Sequence, residues 1–266
     1  MCVSYPLFAA EGSEEFHSPG PGDFEYPPIF GDGTFFTKPM LIIVLATLVV
    51  AVFFYLAARR AAAVPGKTQF MGESVYGFVR NGIALDTMGR EGLRFVPYLA
   101  TLFAFIVTLN IAGIIPFVQF PATSRIAIPL FLAVISCVIF NTIGIRRQGF
   151  VGYFRNMMFP PGIPKLVYGL LAPIEFVSTV IIRPLTLMLR LTFNMFAGHL
   201  VLLLFILGGE YLLLEKGGFV GIAAGSVSIL GGIVLTFFEG FVQILQAYVF
   251  VLLSALYIGG ALSEEH

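Results

Sequence analysis

Charge is the scarcest property of this sequence. Only 11% of its 266 residues are Asp, Glu, Lys or Arg, against roughly 25% in ordinary soluble domains. Hydrophobic residues make up 58%, and several apolar runs approach or exceed the ~20 residues that span a bilayer. A soluble globular chain is therefore excluded. Net charge is zero, so no general attraction to nucleic acid is implied. The two cysteines, Cys2 and Cys137, lie in unrelated settings and match neither a disulfide framework nor a metal site. Also missing are the GxxxxGK(S/T) phosphate loop, the HExxH zinc pair and the GxSxG nucleophile elbow. No cofactor and no metal are expected. The chain also starts without the charged and apolar stretches of a signal peptide, so its first apolar segment is expected to act as its own insertion signal.

What the sequence does contain is an all-α integral membrane protein. Residues 1–38 form a polar, acidic segment, and 39–266 read as a single membrane domain. Hydrophobic spans fall at about 39–58, 95–118, 126–145, 166–214 and 219–262. The last two are too long for one perpendicular crossing and must tilt, break or lie obliquely as a pair. Residues 70–91, of mixed polarity, suit an amphipathic helix at the interface. Basic residues set the orientation. With the N-terminus outside, the inner segments hold ten (Arg59, Arg60, Lys67, Arg80, Arg90, Arg94, Arg146, Arg147, Arg155 and Lys165) and the outer ones three (Lys38, Arg125 and Lys216). The expected topology is N-terminus outside and C-terminus inside.

Arg183 and Arg190 are the two basic residues left over, and Arg190 sits in the middle of an apolar stretch. A guanidinium stays protonated, and at membrane depth it costs at least ~2.5–3.5 kcal/mol on insertion scales. With Arg190 at zero and about 100° per residue, Thr179, Arg183, Thr186 and Asn194 project to about −20°, +20°, −40° and +40°, and Glu175 to about −60°. These six polar residues share one face, which should meet protein or water. His199 projects to about 180°, on the opposite face. The fifth region carries a second polar stripe, comprising Thr236, Glu239, Gln243, Gln246, Ser254 and Tyr257. Two striped helices can pair, each satisfying residues of the other.

Plainer readings stand beside this one. Thr179, Thr186 and Ser254 can bond their own backbone carbonyls, Gln243 can be interhelical glue, and Arg183 can be an anchor that snorkels inward. Arg190, with no acid nearby in sequence, fits none of these. The titratable groups His199, Glu239 and Glu175 are of the kind that relay protons where bulk water is absent. A Glu239–His199 pair suits that task. It could also serve a self-contained proton-coupled transporter or an intramembrane hydrolase. The first should show repeated halves, and the second needs a nucleophile or metal set. Neither is evident.

RLTFNMFAGHL (190–200) resembles the R-L-x-x-N-x-x-A-G-(H/E)-L signature of subunit a of the F-type rotary ATP synthase. Pro184, LNIAGIIP (109–116), LQAYVFVLLSALYI (245–258) and the terminal SEEH (263–266) support the resemblance, which runs from about residue 37 to 266. TSRIAIPLFLA (123–133) resembles actinobacterial members. The resemblance implies a proton-translocating stator subunit, not catalytic on its own, in a bacterial plasma membrane. Its partners would be a c-ring, b-type peripheral stalk subunits, lipid and protons. Arg190 would face the ring and separate two half-channels, with Asn194 and Gln246 near it. His199 and Glu239 would line the outer half-channel, and Glu175 an access path. Arg183 matches a basic residue before the proline, and Gln243, Asn110 and Ser254 are supporting polar groups. Two departures are visible. Asn110-Ile111-Ala112-Gly113 lacks an acid that some members hold, and Arg125 and Ala127 stand where many have Asp and Asn.

Overall fold

The computed structural model describes residues 38–59, 65–115, 122–158, 168–214 and 218–262. Expectations placed on the 1–37 segment, Arg60, Pro116, Lys165, Lys216 and the SEEH tail fall outside these residues. Among the described residues the chain is helical, with no strand. The long helices follow the apolar runs: α1 (Lys38–Arg59), α4 (Val96–Ile114), α5 (Ala127–Gln148), α8 (Arg183–Leu214) and α9 (Gly218–Leu262). Between α1 and α4 lie α2 (Lys67–Val79) and α3 (Leu85–Met88), and between α5 and α8 lie α6 (Phe150–Met158) and α7 (Tyr168–Val177). Among the described residues, five helical stretches are long and apolar enough to cross a membrane: Pro39–Arg59, Lys67–Ile114, Ala127–Gln148, Leu171–Leu214 and Gly218–Leu262. The chain is a multi-pass membrane protein.

The mixed-polarity stretch 70–91 is helical but not uniform. A π turn occupies Arg80–Ala84, and a 3-10 turn (Gly89–Phe95) follows α3. Gly89 ends α3 at φ 63°, a left-handed value that glycine adopts without steric cost. At the end of α5, Gly149 does the same at φ 74°. That turn folds α6 back so that the Tyr153 ring lies against Gly144, where a Cβ would come within 2.3 Å of it.

A third irregularity lies between α7 and α8. Ser178–Ile182 form a π turn, closed by the Arg183 N–H bonding the Ser178 carbonyl five residues back. Pro184 is the reason. It has no N–H, and in an α-helix its ring collides with the carbonyl four residues earlier, that of Val180. Widening the turn relieves the collision. A π turn holds one residue more than an α turn.

By their contacts the described residues fall into two compact units. The smaller comprises 200–214 and 218–236. Its two helical segments meet through glycine: a Cβ on Gly225 would lie 2.9 Å from the Gly209 carbonyl oxygen. Ser228 Oγ also donates to the Phe205 carbonyl at 2.8 Å. Small residues allow this close backbone approach, a usual basis for helix association in lipid.

The larger unit holds the other described residues. Its core is built around Ile83, Leu99, Ile106, Phe140, Leu191 and Phe250, all nearly inaccessible. A smaller cluster of Ile42, Ala46 and Leu109 seats α1 on α4. Much of the rest of α1 is exposed and apolar, as at Leu41, Val44 and Leu48, which suits lipid.

Candidate functional site

The candidate site lies wholly within the larger unit. Four-residue steps build the buried seam between α8 and α9. On α8 it runs through Leu187, Leu191, Met195 and His199, and on α9 through Glu239, Gln243, Ala247 and Val251, all buried. The helices run in opposite directions, so His199 meets Glu239 and Met195 meets Gln243. Polar groups occupy one end of the seam and apolar groups the other.

His199 Nδ1 lies 3.1 Å from Glu239 Oε1, and both side chains are only 8% exposed. An ionised carboxylate only accepts, so the tautomer carrying the proton on Nδ1 donates to it. Gln243 Nε2 donates to the same oxygen at 3.1 Å and lies 3.3 Å from Met195 Sδ. Asn110 Nδ2 on α4 donates to the Gln243 carbonyl at 3.2 Å. Thr123 Oγ1 then donates to Asn110 Oδ1 at 2.9 Å. A chain of polar contacts thus links the turn at Ala122–Ser124 to the His199–Glu239 pair. Glu239 Oε2 and Gln243 Oε1 are buried without a partner among the described residues.

Arg190 lies outside this seam. It is exposed and makes no hydrogen bond or ion pair with any described residue. Thr186 and Ala197 on the same ridge are also exposed, as is Phe193 at 60%. Asn194 is half-buried. Gln246 is buried, and its Nε2 has no partner among the described residues. The two polar stripes do not satisfy each other. Glu239 and Gln243 meet the His199 side of α8, because the apolar seam fixes the helix pairing and turns Arg190 away from it.

A second group of charges precedes Arg190 on the same helical run. Glu175 Oε1 lies 3.6 Å from Arg183 Nη2, and the Arg183 guanidinium stands 5.2 Å above the centre of the Tyr257 ring. The π turn explains how Glu175 reaches Arg183. It offsets everything before it by about one residue, or about 100°, which moves Glu175 from about −60° to about +40°, beside Arg183 at about +20°. Within the turn, Thr179 is buried and its Oγ1 has no partner among the described residues. Close by, Tyr153 OH donates to Asn141 Oδ1 at 2.9 Å. Burial pushes the Tyr153 phenol above its ordinary range, and the charge of Arg183 pulls it partly back.

The remaining polar groups bond mainly within their own helix, although Ser254 Oγ also lies 3.5 Å from Ser136 Oγ. Ser254 Oγ donates to the Phe250 carbonyl at 2.9 Å and Thr186 Oγ1 to the Arg183 carbonyl at 2.9 Å. Sequence reasoning missed Thr123, Met195, Tyr98 and Ser136, the last two joined at 2.9 Å. Lone hydroxyls and a thioether in apolar runs give no pattern to detect. Among the described residues no group of three or more His, Cys, Asp or Glu could hold a metal ion.

Comparison with known proteins decides the family. The family model described as ATP synthase A chain matches residues 40–259. This chain belongs to the ATP synthase subunit a family. It is 48% identical to the ATP synthase subunit a of Nocardioides sp. over 271 residues, covering 97% of this chain and 96% of that protein. The Streptomyces lividans subunit a is 45% identical over 255 residues, covering 94% and 89%. That of Rhodococcus erythropolis is 44% identical over 259 residues, covering 96% and 94%. Subunit a is an ion-translocating component and not a catalytic subunit on its own. The exposed arginine and the buried His–Glu pair of this family member therefore call for an explanation in terms of moving ions.

Proposed function

We propose that this chain is the proton-translocating stator subunit of an F-type ATP synthase in a bacterial plasma membrane. Its N-terminus lies outside and its C-terminus inside, and it works against a c-ring and is held by b-type stalk subunits. The observation that carries this reading is Arg190, an exposed cation on a helix long and apolar enough to cross a membrane. Such a charge is costly in lipid and finds no carboxylate among the described residues. A ring of c subunits supplies one, repeatedly, from outside.

In this mechanism a proton enters from the outer side past Glu239 and His199, with Gln243 and Asn110 holding the pair in place. It neutralises a ring carboxylate, and the neutral site then travels through lipid. After nearly a full turn the site reaches an inner path bordered by Glu175 and gives up its proton. Arg190, with Asn194 and Gln246 near it, favours the ionised ring carboxylate and repels protons that would leak directly between the paths. Each elementary charge crossing the membrane is worth ~2.3 kcal/mol per 100 mV, so several crossings drive one ATP.

The test is Arg190→Ala in vesicles carrying the complete complex. The expected result is loss of coupled ATP synthesis with complex abundance near wild type. Near-normal synthesis would refute the role.

A further inference from the structure

We infer that Arg183 is a positioning residue: it holds the Glu175 carboxylate at the border of the inner path, with the π turn and the Tyr257 ring fixing the geometry. This rests on the reading just given, in which protons leave the ring on the inner side.

Residues eight apart on an α-helix are about 12 Å apart along the axis and turned by about 80°, so their side chains do not ordinarily meet. Glu175 and Arg183 approach to 3.6 Å because the π turn between them takes up one residue. Such turns recur at functional sites. The guanidinium is held from a second direction by the Tyr257 ring at 5.2 Å, so α9 fixes the cation that holds the carboxylate. A planar, delocalised cation can stack on a ring and pair with an acid at once, which a lysine ammonium does poorly.

Stability alone does not account for this arrangement. The two side chains are 33% and 36% exposed, and exposed ion pairs contribute little to folding. Nor does the arrangement look like a snorkelling anchor, whose charged end reaches for bulk water. The Arg183 head group instead lies against Tyr257 and Glu175, close enough to Tyr153 to act on its phenol. The same turn contains Thr179, whose hydroxyl is buried without a partner among the described residues. A carboxylate fixed in place, half-exposed and on the inner side of Arg190, can take up and pass on a proton without first searching for its position.

The experiment measures ATP-driven proton pumping in inverted vesicles bearing the intact complex, normalised to the amount of complex. Arg183→Gln and Glu175→Gln are each expected to lower pumping on the order of tenfold, and the double variant no further than the worse single one, because residues acting as a pair are not additive. Arg183→Lys keeps the charge but not the stack and should recover part of the loss. The exchange of Glu175→Arg with Arg183→Glu should recover more than either single reversal. Losses that multiply in the double variant would overturn the inference. So would full pumping by Arg183→Lys, or a deficit explained entirely by missing complex. Arg190→Ala is assayed alongside. Active pumping in that variant would remove the stator reading itself, whereas inactive Arg190→Ala with multiplying losses would remove only the role of Arg183.

Discussion

Gly198 offers a sharp test of how the His199–Glu239 pair is held. A methyl group added there would lie 3.1 Å from Glu239 Oε1, 3.3 Å from Cδ and 3.4 Å from Cγ. The carboxylate would have to retreat by a few tenths of an ångström to restore ordinary contact. Oε1 already sits 3.1 Å from His199 Nδ1 and from Gln243 Nε2, so a retreat away from α8 carries the His199 contact to or beyond the ~3.2 Å limit of good N–H···O bonds. Overpacking costs ~1–3 kcal/mol, and replacing glycine by alanine in a helix returns ~0.8–1.0 kcal/mol. The net loss of stability is therefore about 0–2 kcal/mol, within what a folded chain tolerates. A weakened hydrogen bond to a charged group forfeits ~1.5–3 kcal/mol, equivalent to about 10- to 100-fold in rate at ~1.4 kcal/mol per factor of ten. Gly198→Ala vesicles should then synthesise ATP about 10- to 100-fold more slowly after an acid–base jump, at normal complex abundance. Gly82→Ala, where an added methyl meets nothing within 4 Å, serves as control. Synthesis by Gly198→Ala within about twofold of wild type would refute the idea that proton entry depends on this fixed carboxylate.

Two further predictions concern the scaffold. Asn110→Leu removes the bonds to the Gln243 carbonyl and from Thr123, whose side chain is fully buried. At ~0.5–1.5 kcal/mol for each bond and ~1–3 kcal/mol for a stranded hydroxyl, it should destabilise by about 2–6 kcal/mol. An unchanged Tm of the detergent-solubilised chain would count against the chain of contacts. Gly144→Ala would drive a Cβ to within 2.3 Å of the Tyr153 ring and should cost ~1–3 kcal/mol. Gly152→Ala, with its nearest neighbour at 3.7 Å, should not, and equal Tm values for the two would refute the docking of α6.

Helical class and the five apolar stretches were legible because lipid enforces a simple rule: long apolar runs with their backbone bonds satisfied internally. The projection that set His199 opposite Arg190 also works, since no irregularity interrupts the helix between them. It fails at Glu175, because it assumes a uniform 100° step and Pro184 forces a wider turn. Periodicity shows which residues share a face but not what that face meets. That is why Gln243 could be read as polar glue while its contacts with Met195 and the Asn110 amide could not be foreseen. Thr123 joins the chain from a turn, where no period exists to reveal it.

In the proposed proton path the two oxygens of Glu239 would play unequal parts. Oε1 takes both His199 and Gln243, while Oε2 is buried with no partner among the described residues. A proton can settle on Oε2 without breaking either contact. Protonation and deprotonation would then keep both contacts in place, which reduces the reorganisation that a change of charge normally requires. On that proposal one oxygen would act as the mount and the other as the landing site.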